Sequence, residues 1–287
     1  MSKIYTIEKD KIIIKDLSQF CIKHILECGQ VFRFIRNVEK ENQDIKYCYT
    51  VYSLDKKAEV MEYSNYAEIV TENVEYFINY FDLNTDYSLI KQHLISYSII
   101  KKAIEYGYGI RILNQDFVET VVSFIISANN NIKRIQKSLN LICEHYGEKI
   151  DDYYAFPSLI KLSQITEQDF RSFGVGFRDK YLVDTIKELK NININNLLLL
   201  ETQNLSNDLQ KFKGVGQKVA DCIMLFSCHK MNVFPVDTWI KQVFNSFYNN
   251  KNEKYNVKQI REFLLNKFGD LSGYAQQYLF YYKREMK

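Results

Sequence analysis

No CxxC pair occurs in this chain, and its 6 cysteines, at positions 21, 28, 48, 143, 222 and 228, nowhere gather into a group of four. A zinc site or an iron–sulfur cluster is therefore not expected. No apolar run reaches the roughly 20 residues that cross a bilayer, so no transmembrane helix is expected either. The opening MSKIYTIEKDKIII has an apolar stretch too short, and too broken by charge, for a signal peptide. Scattered cysteines without an export signal imply reduced thiols in a cytoplasm, nucleoid-associated if the source is bacterial. Charge imbalance is missing too. The 38 basic and 35 acidic residues leave a net +3, so charge facing a nucleic acid has to be local. Proline (2) is scarce beside tyrosine (22) and phenylalanine (19), a compositional bias without functional content.

What the chain has is periodicity. Its 287 residues allow two domains with substantial cores. KIIIKD, QVFRFIRN, IKYCYTVYSL and KAEVMEY alternate apolar and polar residues, predicting antiparallel strands with one covered face. From about Asn73 the spacing turns helical: Val74, Phe77, Ile78 and Phe81, then Leu89, His93 and Leu94, then Ile99, Ile100 and Ile104. Residues 1–112 thus read as an α+β domain, an antiparallel sheet with flanking helices. Residues 113–287 read as all-helical. Asp116 and Glu119 suggest a capping box before FVETVVSFIISA, which is apolar on nearly every face and so a buried central helix. Asn129 to Asn131 end it, with left-handed geometry open to them. Ile132, Ile135, Leu139, Ile142 and Tyr146 mark an amphipathic helix, and Thr166 to Asp169 another cap.

Two Gly-Val-Gly hairpins follow, at 174–176 and 214–216. Each feeds a helix start, where free N–H groups and a positive dipole suit a phosphate. Around the second we expect a short helix at about Asn207 to Phe212 and another from Gln217. A Pro-Val-Asp turn (235–237) opens a third, with Asp237 as its N-cap. Lys218 lies in a first helical turn, where a cation is disfavoured. Near the C-terminus, Gln276 and Phe280 share one helical face.

Leu209 to Asp237 resembles the helix-hairpin-helix, Gly/Pro-rich loop and aspartate of the HhH-GPD superfamily of DNA glycosylases. ECGQVFRF (27–34), SANNNIKRI (127–135), FGVGFRDKY (173–181), KGVGQKVADCI (213–223), PVD (235–237) and AQQYLF (275–280) match its 8-oxoguanine glycosylase/lyase branch in order. The resemblance implies a TBP-like N-terminal domain (1–112) and an HhH-GPD catalytic domain (113–287) needing no cofactor. It implies a monomer that flips 8-oxoguanine, opposite cytosine, out of duplex DNA. The base leaves through a lysine Schiff base, and the strand is nicked by β-elimination.

By that resemblance Lys218 is the nucleophile, and Asp237 stabilises the developing oxocarbenium or assists proton movement. Gly29 offers the carbonyl that separates lesion from guanine. N7 of guanine accepts a hydrogen bond, and oxidation at C8 makes it a donor. Phe280 stacks on the flipped base, Gln276 reads its Watson–Crick edge, and Cys222 sits one turn beyond Lys218. Asn129 fills the vacated gap, Arg134 and Arg178 contact the orphaned cytosine, and Phe177 is a wedge. Gly214 and Gly216 bring the hairpin to DNA, and carbonyls of Gln210, Phe212 and Val215 resemble a monovalent-cation site bridging to a phosphate. Trp239 departs from the pattern, standing where eukaryotic members place a phosphate-contacting histidine. An indole has one donor and no charge, so a weaker contact is expected. Phe226 fills a position that can be methionine, which bears on lesion range. The alternatives are a non-catalytic helix-hairpin-helix damage sensor, which needs neither Lys218 with Asp237 nor a base-reading domain, and a related glycosylase of different lesion range.

Overall fold

A computed structural model describes residues 3–249 and 253–286. Strands β1 (Tyr5–Glu8), β2 (Lys11–Ile14), β3 (Phe34–Arg36), β4 (Tyr47–Ser53), β5 (Lys56–Glu62) and β6 (Ala67–Val70) form one antiparallel sheet. Their order is β1-β2-β6-β5-β4-β3. Ile12, Ile14, Val51, Ala58, Val60 and Ile69 on one face are buried against α1 (Ile22–Glu27) and α2 (Val74–Tyr80) through Ile22, Ile25, Phe77 and Phe81. Each of these Ile, Val and Phe side chains contributes about 1.5–3 kcal/mol on burial. Strands β1 and β6, four residues each, lie outside the alternating segments read from sequence.

QVFRFIRN yields only the three residues of β3, because the residues before it are turned inward. The Gln30 side chain donates to the Ile25 (2.9 Å) and Arg111 (2.8 Å) carbonyls and accepts from the Leu113 N–H. Arg33 is buried and reaches Glu119 and the Tyr154 carbonyl.

Helices α3 (Tyr87–Leu94) and α4 (Ser98–Tyr106) follow, then α5 (Phe117–Ser127) and α6 (Ile132–Tyr146). A small ribbon of β7 (Lys149–Ile150) and β8 (Tyr153–Tyr154) precedes α7 (Leu159–Leu162), α8 (Glu167–Ser172) and α9 (Asp179–Asn191). Next come α10 (Ile194–Leu198), α11 (Thr202–Leu209), α12 (Gln217–Ser227), α13 (Thr238–Phe247), α14 (Val257–Phe268) and α15 (Ser272–Glu285). Leu94, Ile100, Ala103 and Ile104 of α3 and α4 join the core of the helical half, with α4 along α15. These helices lie before residue 112, where the sequence reading places the domain boundary, yet they pack in the second core.

Asp116 caps α5 by accepting from the Glu119 N–H at 2.9 Å. The reciprocal half of a capping box is absent. The Glu119 carboxylate instead accepts from Arg33 Nη1 (3.2 Å) and the Leu54 N–H (2.8 Å), because a buried guanidinium needs a counter-charge. This pair joins the sheet to the central helix. Thr166 and Asp169 do form a full box on α8. Helix α11 ends at Leu209, earlier than the 207–212 expected, and Phe212 lies in the following turn, where its carbonyl accepts the Val215 N–H at 3.1 Å. Among the described residues no helix is long and apolar enough to cross a membrane. Nor, among them, is any group of three or more His, Cys, Asp or Glu placed to hold a metal. All six cysteines are free thiols.

Candidate active site

Gly214 adopts φ +81°, and a β-carbon there would lie 2.9 Å from Cδ2 of Tyr181, so the hairpin needs glycine to pack on α9. Gly216 then N-caps α12 in extended geometry. Asp221, fully buried on α12, is gripped by Arg261 of α14 at 2.6 and 2.8 Å and accepts from Gln217 at 3.0 Å. These bonds set the rotation of α12, and with it the direction of its first turn.

Lys218 occupies that turn, half-buried, with Nζ 5.5 Å from the centre of the Phe124 ring. Phe124 is stacked in turn on Phe226, 5.4 Å away. One turn along, burial pushes the Cys222 thiol up to about 11, so it stays protonated at neutral pH and is a poor nucleophile. Asp237 caps α13, accepting the Ile240 N–H at 2.9 Å. Burial lifts its carboxyl above the ordinary aspartate value, a rise partly offset by that N–H and by Lys218.

Gly29, Lys218, Cys222, Asp237, Gln276 and Phe280 line one cavity, closed further by Phe124, Phe226, Pro235 and Gln277. Its free volume is about 30 Å³, room for a water or two and far short of the ~300 Å³ at which ligand pockets begin. Gln276 is buried. Its Nε2 donates to the Pro235 carbonyl at 3.4 Å, while Oε1 has no partner. A larger cavity of about 510 Å³, beside α9, α10 and α11, contains Phe212 but neither Lys218 nor Asp237.

The turn before β3 is held from outside. Arg284 Nη2 donates to the Glu27 carbonyl, Gln277 Nε2 to the Cys28 carbonyl at 2.8 Å, and Gln115 Nε2 to the Gln30 carbonyl at 2.8 Å. Gly29 itself has φ +82°. Among the described residues no backbone N–H donates to its carbonyl.

The cavity opens into a groove of about 920 Å³, where Lys133, Lys218, Lys241 and Arg284 face a single carboxylate, Asp237. That excess suits a phosphodiester chain. Asn129, at φ +51°, and Trp239 also line it. Phe177, Arg178 and Arg134 lie outside this lining. Phe177 is 60% exposed and projects beside Tyr181.

Arg178, expected at the orphaned cytosine, is turned inward. It is 4% exposed, and its guanidinium donates to the carbonyls of Val175 (2.8 Å), Ala128 (2.9 Å) and Asn129 (3.0 Å). The bonds to Ala128 and Asn129 hold the Asn129 turn in place, so a contact with cytosine requires some of these bonds to open. Burial, followed by the nearby Arg134, lowers its pKa. Arg134 is exposed.

Sequence reasoning missed Phe124, Pro235, Gln277 and Arg284. Phe124 was hidden inside an apolar helix, but Gln277 adjoins Gln276 and Arg284 lies one turn beyond Phe280, a signal present in the spacing.

Residues 12–121 match the family model described as 8-oxoguanine DNA glycosylase, N-terminal domain, and residues 122–268 that of the HhH-GPD superfamily base excision DNA repair proteins. An N-glycosylase/DNA lyase of Saccharomyces cerevisiae is 30% identical, the match covering 92% of this chain and 83% of that protein. A probable N-glycosylase/DNA lyase of Methanothermobacter thermautotrophicus is 29% identical over 74% of each chain. The solved Clostridium acetobutylicum 8-oxoguanine glycosylase/lyase, in complex with duplex DNA containing cytosine opposite 8-oxoguanine, superposes with TM-score 0.90 at 42% identity over 98% of both chains. With both halves of the fold matched around one lysine-bearing cavity, the chain belongs to the 8-oxoguanine DNA glycosylase family of the HhH-GPD superfamily.

Proposed function

We propose that this protein is a bifunctional DNA glycosylase and abasic-site lyase that removes 8-oxoguanine from duplex DNA. The observation that carries the reading is the convergence of Lys218, Asp237, Gly29, Gln276 and Phe280 on one cavity from four elements far apart in sequence. A helix-hairpin-helix module that merely held DNA would need no such cavity behind its hairpin.

The Lys218 amine attacks C1′ of the flipped nucleotide, and the glycosidic electron pair leaves with the base. Ionised Asp237 stabilises the positive charge that grows on the sugar. Loss of a proton from Nζ and opening of the sugar ring give a Schiff base. Abstraction of a C2′ proton then expels the 3′ phosphate. The Cys222 thiol stays protonated and takes no covalent part.

Gly29 offers its carbonyl to the N7–H of the lesion, a role supported by that oxygen taking no backbone N–H among the described residues. Gln276 presents an unpartnered amide oxygen to the base edge. In the small cavity described, Phe280 lies against Gly29, so base entry requires the ring to move aside and then stack. Asn129, which lines the groove, fills the vacated gap, Arg134 and Arg178 contact the orphaned cytosine, and Phe177 is the wedge. Trp239 takes up the phosphate beside Asp237, and Gly214 and Gly216 bring the hairpin to the backbone. Carbonyls of Gln210, Phe212 and Val215 are hard oxygens of the kind a monovalent cation takes, and the second lone pair of Phe212 is available for it. The domain division proposed is base reading by 1–112 with α15, and chemistry by 113–287. One copy of the chain suffices, working in the cytoplasm, nucleoid-associated in a bacterium.

Borohydride reduction tests the reading. Protein mixed with duplex carrying 8-oxoguanine opposite cytosine should yield a covalent adduct, absent in Lys218→Gln. Wild-type protein that forms no adduct would refute the lyase assignment.

A further inference from the structure

We infer that Arg284 is a positioning residue for lesion recognition, bracing the Gly29 turn and the Phe280 ring as one unit. The inference rests on the base-pocket reading above.

Five residues meet its guanidinium. Nη2 donates to the Glu27 carbonyl, two residues before Gly29. Nη1 would lie 3.1 Å from a β-carbon built on Gly29, so the group is packed against the glycine. The guanidinium carbon is 5.4 Å from the centre of the Phe280 ring and 5.7 Å from that of Tyr281. Glu285 lies along the Nε–Nη2 edge, its carboxylate accepting from Nε at 2.9 Å and 2.9 Å from Nη2. The side chain is 15% exposed and lines the groove together with Gly29 and Phe280.

Arg284 lies one helical turn beyond Phe280, and Gln277 of the same helix holds the Cys28 carbonyl. Helix α15 thus grips two consecutive carbonyls, those of Glu27 and Cys28, while the next, that of Gly29, is the one aligned for the lesion. A single carbonyl can discriminate one proton on a purine only if its direction is fixed, because hydrogen bonds weaken steeply off axis. A planar guanidinium meets this need as lysine could not, since it stacks on a ring and donates in its plane at once. Phe280 must shift for a base to enter, and the ion lying on its face moves or yields with it. Ring and carbonyl are thereby set together.

The test compares two single-turnover rates in one protein preparation: excision of 8-oxoguanine opposite cytosine, and nicking of duplex with a preformed abasic site. Only excision uses the base pocket. Arg284→Ala should lower the ratio of excision to nicking by about tenfold, the scale of a lost charge-assisted hydrogen bond. Arg284→Met keeps the apolar stem over Phe280 without the donors, and should lower the ratio likewise if Arg284→Ala fails to fold. A wild-type ratio in a folded variant, or a parallel fall in both rates, would overturn the role of Arg284. Wild-type protein that nicks abasic duplex yet leaves 8-oxoguanine in place would overturn the base-pocket reading itself.

Discussion

Gly29 and Phe280 are in contact across the cavity: a β-carbon built on Gly29 would lie 3.1 Å from Cε1 of the ring, at a backbone φ of +82°. Gly29→Ala therefore meets two penalties. The left-handed backbone costs about 1–2 kcal/mol for a residue with a β-carbon, and the ring has to give way. We expect a melting temperature lower by a few degrees and a loss of excision larger than the loss of abasic-site nicking. Thermal melts with both rate measurements check this. An alanine variant that excises normally would show that the turn does not read the lesion.

Lys218→Gln should abolish both excision and strand nicking, whereas Cys222→Ser should keep the borohydride adduct. The thiol, pushed up to about 11 by burial, is protonated at pH 7 and should resist alkylation in the native protein. Rapid alkylation of Cys222, followed by mass spectrometry, is the result that contradicts this placement.

Asp237→Asn retains an N-cap for α13, because asparagine caps as well as aspartate, so stability should change by less than ~1 kcal/mol. Excision should still fall by about 100-fold or more, the scale of losing a preorganised charge at the reacting centre. The pH dependence follows from burial. The Asp237 carboxyl lies above its ordinary value of about 3.9. The ionised, active form is thus lost as pH falls through that raised value, and the acid limb of excision should lie above the ordinary aspartate range. An acid limb that persists unchanged in Asp237→Asn would assign it to another group.

Glu119→Ala leaves the buried Arg33 without its counter-charge and should cost about 3–5 kcal/mol. Chemical denaturation gives the value. Replacing the pair together, Arg33→Met with Glu119→Leu, should recover a large part of it, because two buried charges are removed at once. A double variant no better than the single one would mean that the remaining Arg33 contacts dominate.

Arg134→Ala should relax the preference for cytosine opposite the lesion, measured as excision from duplexes carrying each of the four bases. Arg178→Ala should do so with an added loss. Its bonds to the carbonyls of Val175, Ala128 and Asn129 shape the turn, so excision should also fall opposite every base. Loss of cytosine preference without that general fall would show that the turn does not depend on Arg178.

Much of the local architecture was legible in residue order. The second glycine hairpin, the N-cap at Asp237 and the shared face of Gln276 and Phe280 are short-range facts set by spacing and φ preference. Boundaries were less legible. The expected helix at 207–212 formed at Thr202–Leu209 instead. There Leu205 and Leu209, both buried, fix the helical register, while Phe212 is needed in the turn.

The sequence by itself determined the elements, the order of the motifs and the residue types able to do the chemistry, because propensity, capping and periodicity act within a few residues. Tertiary structure decided which groups meet. It took Glu119 away from its own helix start to pair with Arg33. It folded Arg178 back onto the carbonyls around Asn129. It drew α3 and α4 into the helical core, and set Arg284 against Gly29, 255 positions away in the chain. These are pairings of buried charge and packing across distant segments. Their energies come from desolvation and close contact, which exist only once the two halves of the fold have closed on each other.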